Sequence, residues 1–239
     1  MKHILEIAVF NISSALLAAQ SGADRIELCD NAFDGGTTPS YGTLKTVREK
    51  ISIPVFPIIR SHGGDFLYDD ASFEAMKKDV LLCKELGFEG VVLGLLNIDG
   101  TVDKKRTTQL VELAYPLDVT FHRAFDRAKD PFTALEDIIE CGCQRILTSG
   151  QVPNAYDGKE LIKQLIEQAD YRIIIMPGSG VRSSNIKQLA DYTGAFELHS
   201  SARMPEASSM EFINDNMKEN IENLSVDVNE IKKMKQALA

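Results

Sequence analysis

Apolar and polar residues follow one another along this chain in a repeating order of short strand and amphipathic helix. Runs rich in apolar and β-branched residues predict eight strands, at residues 4–9, 25–29, 55–60, 90–94, 118–122, 145–148, 172–176 and 196–199. Helical periodicity separates them, at residues 13–21, 44–51, 73–86, 107–114, 131–140, 158–169 and 185–192. Helix ends are marked by Gly22, Gly87 and Gly142, and a helix start by Asp130 followed by Pro131.

This order predicts a parallel α/β fold. Eight strand–helix units fit a TIM (β/α)8 barrel, which takes about 250 residues, and we predict a single barrel domain over residues 1–202. An open doubly wound sheet uses the same alternation and is the alternative fold, but the chain gives no signal of a topological reversal.

Residues 203–239 break the alternation. They are polar, end in a helical pattern at 229–238 and have no strand after it. We predict a C-terminal helical extension that packs on the barrel or against a partner subunit, with a solvated tail as the alternative.

Composition narrows the function. The 239 residues are 44% hydrophobic and carry a net charge of -9, which argues against nucleic acid or anionic lipid as a partner. No apolar run approaches the roughly 20 residues of a membrane span, so we predict a cytoplasmic protein. The four cysteines, Cys29, Cys83, Cys141 and Cys143, are too few for a disulfide scaffold and are expected to be reduced.

Ionisable side chains stand near the ends of several predicted strands. Because side chains alternate across a strand, Glu27 and Cys29 share one face, as do Glu197 and His199. The large apolar residues between them suit the outer helix ring, so the polar set is expected to point into the barrel mouth. The set comprises Glu6, Glu27, Cys29, Arg60, His122, Arg123, Asp126 and His199.

Buried carboxylates need cations, and we expect Arg60 and Arg123 to supply them. Two further loops carry groups suited to an anion: Gly178 and Gly180 follow the seventh strand, and Ser200 and Ser201 follow the eighth. Backbone N–H groups after these two strands are the common anion site of barrel enzymes.

Several strings in the chain resemble the CutC family of copper homeostasis proteins. They are ADRIELC at 23–29, GGTTPS at 35–40, GGDFLY at 63–68, VTFHRAFD at 119–126, RILTSGQ at 145–151 and HSSA at 199–202. The resemblance implies a TIM-type barrel, a cytoplasmic homodimer and copper, as Cu(I), as the bound ion. It implies no known reaction.

The chain departs from the family pattern at points that bear on copper. Many members have a cysteine where this chain has Ala8, and some have one where it has Ser200. The common IRPRGGD string here runs IRSHGGD at 59–65. Because Cu(I) prefers thiolate and thioether ligands, Cys29 is the candidate metal ligand, with a buried packing role as its alternative.

Two functions therefore compete. The first, which we predict, is copper homeostasis with Cu(I) binding at Cys29. The alternative is an isomerase, lyase or hydrolase for a small anionic or phosphorylated metabolite. In that alternative His122 or His199 is the acid or base, Glu27 or Glu6 is its carboxylate partner or the second base, and Arg60 and Arg123 clamp negative charge. Asp126 would orient Arg123 or His122.

Overall fold

A computed structural model describes residues 2–214, 216–218 and 221–239, and within them it confirms the predicted TIM-type barrel. The barrel strands are Ile4–Val9 (β1), Arg25–Leu28 (β2), Val55–Pro57 (β3), Gly90–Leu93 (β4), Asp118–Phe121 (β5), Arg145–Thr148 (β6), Ile174–Pro177 (β7) and Glu197–Ser200 (β8). The intervening helices are Ile12–Gln20 (α1), Tyr41–Lys50 (α2), Asp70–Glu85 (α3), Lys104–Ala114 (α4), Pro131–Glu140 (α5), Lys159–Ala169 (α6) and Ile186–Thr193 (α7).

The strands pair in parallel as two four-stranded sheets, in the orders β3-β2-β1-β8 and β4-β5-β6-β7. A bridge between Ile58 and Val92 joins the sheets on one side, and β7 lies beside β8 on the other. In this register Glu6 stands opposite Arg25 on one neighbouring strand and His199 on the other. Side chains from distant parts of the chain thus meet at the same level inside the barrel.

The outward faces of the strands pack against the helix ring. Leu28, Phe121 and Leu198 have no exposed surface, as expected for positions that alternate with the inward polar residues. The expected helix start is also confirmed, because the Asp130 carboxylate accepts from the Thr133 N–H over 2.7 Å at the start of α5. Within the described ranges, no helix has the length and apolar character that crossing a membrane requires.

Two strands differ from their predicted bounds by more than one residue. β3 ends at Pro57 rather than at residue 60, and the next residues bond to a loop: Arg60 N–H donates to Thr38 Oγ1 and Thr38 N–H to Arg60 O, each over 2.9 Å. β7 begins at Ile174 rather than at 172, because the Arg172 N–H donates to Ala169 O over 2.9 Å in the turn after α6. The Arg172 side chain forms a two-point ion pair with Glu136 on the outer face.

Two short strands beyond the barrel were not expected. Arg203–Glu206 (β9) pairs antiparallel with Asn223–Val226 (β10), and Val228–Ala237 forms α8. The hairpin escapes pattern analysis because β9 is exposed along its length and contains a proline. Residues 215, 219 and 220 of the predicted extension lie outside the described residues.

The helix α8 packs on the barrel. Its Ile231 and Met234 are fully buried, and Lys235 Nζ lies 2.5 Å from Asp24 Oδ2. Glu230 accepts from the N–H and hydroxyl of Ser183, which precedes α7. These contacts hold α8 against the turn after α1 and the start of α7.

An aromatic ring fills the centre of the barrel. The guanidinium carbons of Arg25 and Arg145 lie 5.0 and 5.4 Å from the centroid of Phe56, at cation–π distance. Gly90 faces the same ring: a Cβ at this position would lie 2.5 Å from Phe56 Cε2 and Cζ. Phe56 and the two arginines thus fit together only because Gly90 on β4 has a hydrogen atom where any other residue has a Cβ.

We expect Gly90→Ala to destabilise the protein by about 1–3 kcal/mol, because the added methyl group overpacks the centre of the barrel. Urea unfolding followed by circular dichroism measures this. Gly42→Ala in α2 is the control: its Cβ would meet Ser40 Oγ at an ordinary 3.9 Å, so stability should hold or rise slightly. Equal effects of the two substitutions would contradict the packing argument.

Candidate functional site

A cavity of about 440 Å³ opens at the carboxyl-terminal end of the barrel. It brings together most of the site residues expected from the sequence: Glu27, Cys29, Arg60, His122, Arg123, Gly180, His199, Ser200 and Ser201. Glu6 is completely buried and contacts His199 rather than the cavity. Asp126 and Gly178 are the other expected residues outside its lining.

A histidine held between two carboxylates is the central feature of the site. His199 Nδ1 lies 2.7 Å from Glu6 Oε1, and its Nε2 lies 3.7 Å from Glu27 Oε2. The neighbouring strands β1, β2 and β8 contribute one member each. Glu27 is 5% and His199 8% exposed, so water screens their charges little.

Burial and pairing give the three groups different proton affinities. Burial would raise the pKa of Glu6, but Arg25 and His199 outweigh it and lower that pKa to about 2. Burial raises the pKa of Glu27 to about 7, with His199 opposing the rise. For His199, burial is outweighed by the bond to Glu6 and the charge of Glu27, which raise its pKa. Glu6 is therefore ionised, while Glu27 exchanges its proton near neutral pH.

The cations that neutralise the buried carboxylates are not the expected ones. Arg25 binds Glu6 through Nε and Glu197 through Nη2, each over 2.5 Å, and Arg145 Nε binds Glu197 over 2.8 Å. The prediction that Arg60 and Arg123 would do this was wrong for Glu6 and Glu197, because both arginines lie one level higher, where the strands end. Arg25 was detectable from the sequence, since it is two residues before Glu27 and shares its face.

Arg60 instead holds two glycine-rich loops. Its Nη1 donates to the carbonyl oxygens of Asp34 and Gly36, each over 2.7 Å, and its Nη2 to that of Gly64 over 2.8 Å. These carbonyls belong to the loops after β2 and β3. A single guanidinium therefore fixes the shape of one side of the mouth.

On the other side of the mouth, Asp126 holds the loops together as Arg60 does on the first side. It accepts from Arg123 Nε over 2.7 Å and from the backbone N–H groups of Ser149 and Gln151 over 3.0 and 3.2 Å. Arg123 Nη2 also donates to Ser149 Oγ over 2.8 Å. Of the two partners considered for Asp126, the structure gives Arg123. The strings at 119–126 and 145–151 are thus bonded to each other.

The two histidines of the mouth differ in proton affinity. Burial, assisted by the charge of Arg60, lowers the pKa of His122 to about 3, so this ring is neutral at physiological pH. The carboxylates beside His199 instead raise its pKa. On the sequence alone both histidines are equal candidates for the acid or base, and only their surroundings in the fold distinguish one from the other.

The two expected anion loops reach the cavity only in part. Gly180, Ser200 and Ser201 line it. Gly178 permits close packing instead, since a Cβ there would lie 2.5 Å from Leu147 Cδ1 and 3.0 Å from His199 Cδ2. An adjoining cavity of about 370 Å³ is lined by Arg60, Arg123 and Arg127. Arg127 was missed because no strand pattern points to it.

The soft-metal donors at the mouth fit a Cu(I) site poorly. The Cys29 thiol is buried, and burial together with Glu27 raises its pKa well above the ordinary value, which disfavours the thiolate that copper binds. Met176 Sδ accepts from Arg25 Nη2 over 3.3 Å below the mouth. In the part of the chain that the structure describes, no three His, Cys, Asp or Glu residues are grouped to hold a metal.

The fold and site define a class: a (β/α)8 barrel with a charged pocket at its carboxyl-terminal mouth. Comparison with known sequences then gives the family. The CutC family model matches residues 3–204, and the chain belongs to the CutC family.

Relatives are similar over nearly the whole chain. A "family protein CutC" of Chromobacterium violaceum is 52% identical over 212 residues, 89% of this chain and 86% of the relative. A "Copper homeostasis protein cutC homolog" of Mus musculus is 47% identical over 214 residues, 90% of this chain and 79% of the relative.

Solved structures agree on the fold. The crystal structure of a CutC copper homeostasis protein from Streptococcus agalactiae matches with a TM-score of 0.79 and 33% identity, over 83% of this chain and 98% of that one. Phosphoribosylanthranilate isomerase from Thermotoga maritima matches with a TM-score of 0.60 and 11% identity, over 99% and 98%. The second likeness concerns the fold alone.

The raised pKa of Glu27 predicts a pH-dependent stability. Between the unfolded pKa near 4.5 and the folded pKa near 7, the folded state keeps a proton that the unfolded chain releases, so rising pH destabilises the fold. Glu6, His199, Cys29 and Arg25 are the groups that act on this carboxyl. Relative to Glu27→Gln, the wild type should lose roughly 3 kcal/mol between pH 5 and 8, at about 1.4 kcal/mol per pKa unit.

Urea unfolding at pH 5, 6, 7 and 8 measures this difference. Glu206→Gln, on the exposed strand β9, is the control for a change in net charge and should follow the wild type. Parallel curves for the wild type and Glu27→Gln would show that Glu27 does not bind the proton.

Proposed function

We propose that this CutC-family protein is an acid–base enzyme acting on a small anionic metabolite. The observation that carries the proposal is the Glu6–His199–Glu27 arrangement beside a cavity lined by arginines. Paired carboxylates whose surroundings drive their pKa values apart are typical of acid–base sites. A purely structural ion pair gives no reason for a cavity beside it, whereas Glu27 and His199 line one.

Each member of the arrangement has a distinct role in this proposal. Glu27 lines the cavity and transfers the proton, because a catalytic group works best with a pKa near the working pH. His199 lies between the carboxylates and positions Glu27. Glu6, bound to Arg25, keeps its negative charge and orients His199. An isomerase, a lyase or a hydrolase is compatible with this set.

The anionic part of the substrate is placed near Arg123 and Arg127. Both line the cavity beside the mouth, and Arg123 also lines the mouth itself. Asp126 fixes the Arg123 guanidinium, which lowers the entropy cost of binding an anion. Gly180, Ser200 and Ser201 at the opposite loops are the further candidates for contact with the anion.

Inorganic phosphate and oxalate should bind the purified protein, with both affinities falling at least tenfold in Arg123→Gln. Loss of one charge-assisted contact costs about 1.5–3 kcal/mol, or ten- to a hundredfold in affinity. Isothermal titration calorimetry at fixed ionic strength is the measurement. Arg172→Gln removes a matched arginine from the outer face and should bind as the wild type does. Equal affinities for all three proteins would reject the anion site.

Cu(I) binding at Cys29 is the second candidate. It is supported by the names of the mouse and human relatives, copper homeostasis protein cutC homologs, and by a thiol at the lining of the mouth. The protonated state of that thiol and the missing cysteines at Ala8 and Ser200 weigh against it. Copper in this reading is the cargo, not part of a reaction.

An anaerobic Cu(I) titration against a chelator of known affinity tests this candidate with the wild type, Cys29→Ser and His122→Ala. We expect weak binding that neither substitution changes, because one protonated thiol makes a poor site. Tight one-to-one binding that disappears in Cys29→Ser would establish copper binding and make the acid–base proposal secondary.

The setting of the proposed enzyme is the cytoplasm, where reduced thiols persist. Its four cysteines are buried and free, which suits that compartment. We also propose that the protein is a homodimer, as the family resemblance implies.

A further inference from the structure

His122 has a buried hydrogen-bond donor without a partner beside the mouth cavity. The Ala124 N–H donates to Nδ1 over 3.2 Å, so Nδ1 holds a lone pair and the proton of the neutral ring lies on Nε2. In the part of the chain that the structure describes, Nε2 has no hydrogen-bond partner. Buried donors without acceptors are rare in folded proteins, and a ligand that accepts is one explanation for such a donor at a cavity.

The ring is fixed in this orientation by close packing. A Cβ at Gly94 would lie 2.5 Å from Nδ1 and 2.7 Å from Cε1, so only a glycine directly after β4 leaves room for the imidazole. The Phe66 ring lies 4.8 Å away, centroid to centroid. The side chain is 4% exposed, and burial lowers its pKa to about 3. His122 is thus a rigid, neutral N–H donor.

We propose that the Nε2–H of His122 binds the carbonyl oxygen of the substrate and stabilises the enolate formed when a neighbouring carbon loses a proton. The inference rests on the proposed function, because Glu27, across the same cavity, is the base. It narrows the substrate to a small carbonyl compound that has a removable proton on the carbon beside the carbonyl and a phosphate or carboxylate terminus. A neutral imidazole can polarise a carbonyl in this way without transferring its own proton.

The step is balanced within the site. The Glu27 carboxylate takes the proton from the carbon beside the carbonyl, and the C–H electron pair forms a C=C bond. The carbonyl π electrons move to the oxygen, which accepts the His122 Nε2–H bond. Return of the proton to the same carbon regenerates the substrate. If that carbon carries a hydroxyl group and the proton returns instead to the former carbonyl carbon, the hydroxyl proton passes to the enolate oxygen, the hydroxyl-bearing carbon becomes the new carbonyl, and the substrate is isomerised. No oxidant or co-reactant is needed.

Solvent deuterium incorporation tests the proposal. The protein is incubated in D2O with dihydroxyacetone phosphate or hydroxypyruvate, and loss of the carbon-bound proton is followed by ¹H NMR against buffer alone. The wild type should accelerate exchange for at least one probe. His122→Leu, which has no donor, should lose about 10²–10³-fold in rate, and His122→Gln, which keeps an N–H, should retain more. Wild-type rates in His122→Leu would overturn the proposal.

A second measurement applies without a substrate. In ¹⁵N-histidine-labelled protein, with His122 assigned through His122→Gln, the ring should remain the neutral Nε2–H tautomer from pH 5 to 8. A charged ring or an Nδ1–H tautomer in that range would overturn the proposal.

Phosphate binding separates the failure of this inference from that of the proposed function. If the wild type binds phosphate but exchanges no proton from either probe, the carbonyl role of His122 is rejected and the anion site stands. If it neither binds anions nor exchanges protons, both are rejected. His122→Leu should still bind phosphate, because Arg123 is untouched.

Discussion

The site of this protein depends on a cluster of charges buried inside the barrel. Arg25 binds Glu6 and Glu197 at once, and Arg145 binds Glu197 from the other side. Charges at this depth are tolerated only when paired, and removal of one partner from such a group costs about 3–5 kcal/mol. Because Arg25 keeps Glu6 ionised, Glu6 can in turn hold His199, and Glu27 lies on the other side of the same ring. The proton affinities at the mouth therefore originate one layer below it.

Above this layer, two side chains fix the loops of the mouth. Arg60 binds carbonyls of the loops after β2 and β3, and Asp126 binds N–H groups of the loop after β6. From the sequence, Arg60 was expected to contact the ligand and Asp126 to orient Arg123 or His122. The observed bonds show that Arg60 and Asp126 hold these loops in shape. This role accounts for the glycines and small polar residues around them in the strings that resemble the family. Atoms left without partners, such as His122 Nε2, are the better indicators of where a ligand binds.

Membership of the CutC family and the chemistry of this site point in different directions. The names of the mouse and human relatives concern copper homeostasis, whereas the donors at this mouth are one protonated thiol, the two histidine rings and carboxylates engaged in ion pairs. One thiol gives too few soft donors for Cu(I), and the carboxylates are already paired. The same groups suit proton transfer, because a raised and a lowered carboxyl pKa lie on either side of one histidine.

The sequence by itself determined the fold class and the inward face of each strand, because hydrophobic periodicity is a local property that survives without tertiary contacts. It placed Glu27, Cys29 and His199 on one face. Tertiary structure alone decided which charges pair, since Glu6 and Glu197 meet Arg25 only through the register of neighbouring strands. It likewise decided that the pKa of His122 is lowered and that of His199 raised, because burial and neighbouring charges set a pKa, and neither is visible along the chain.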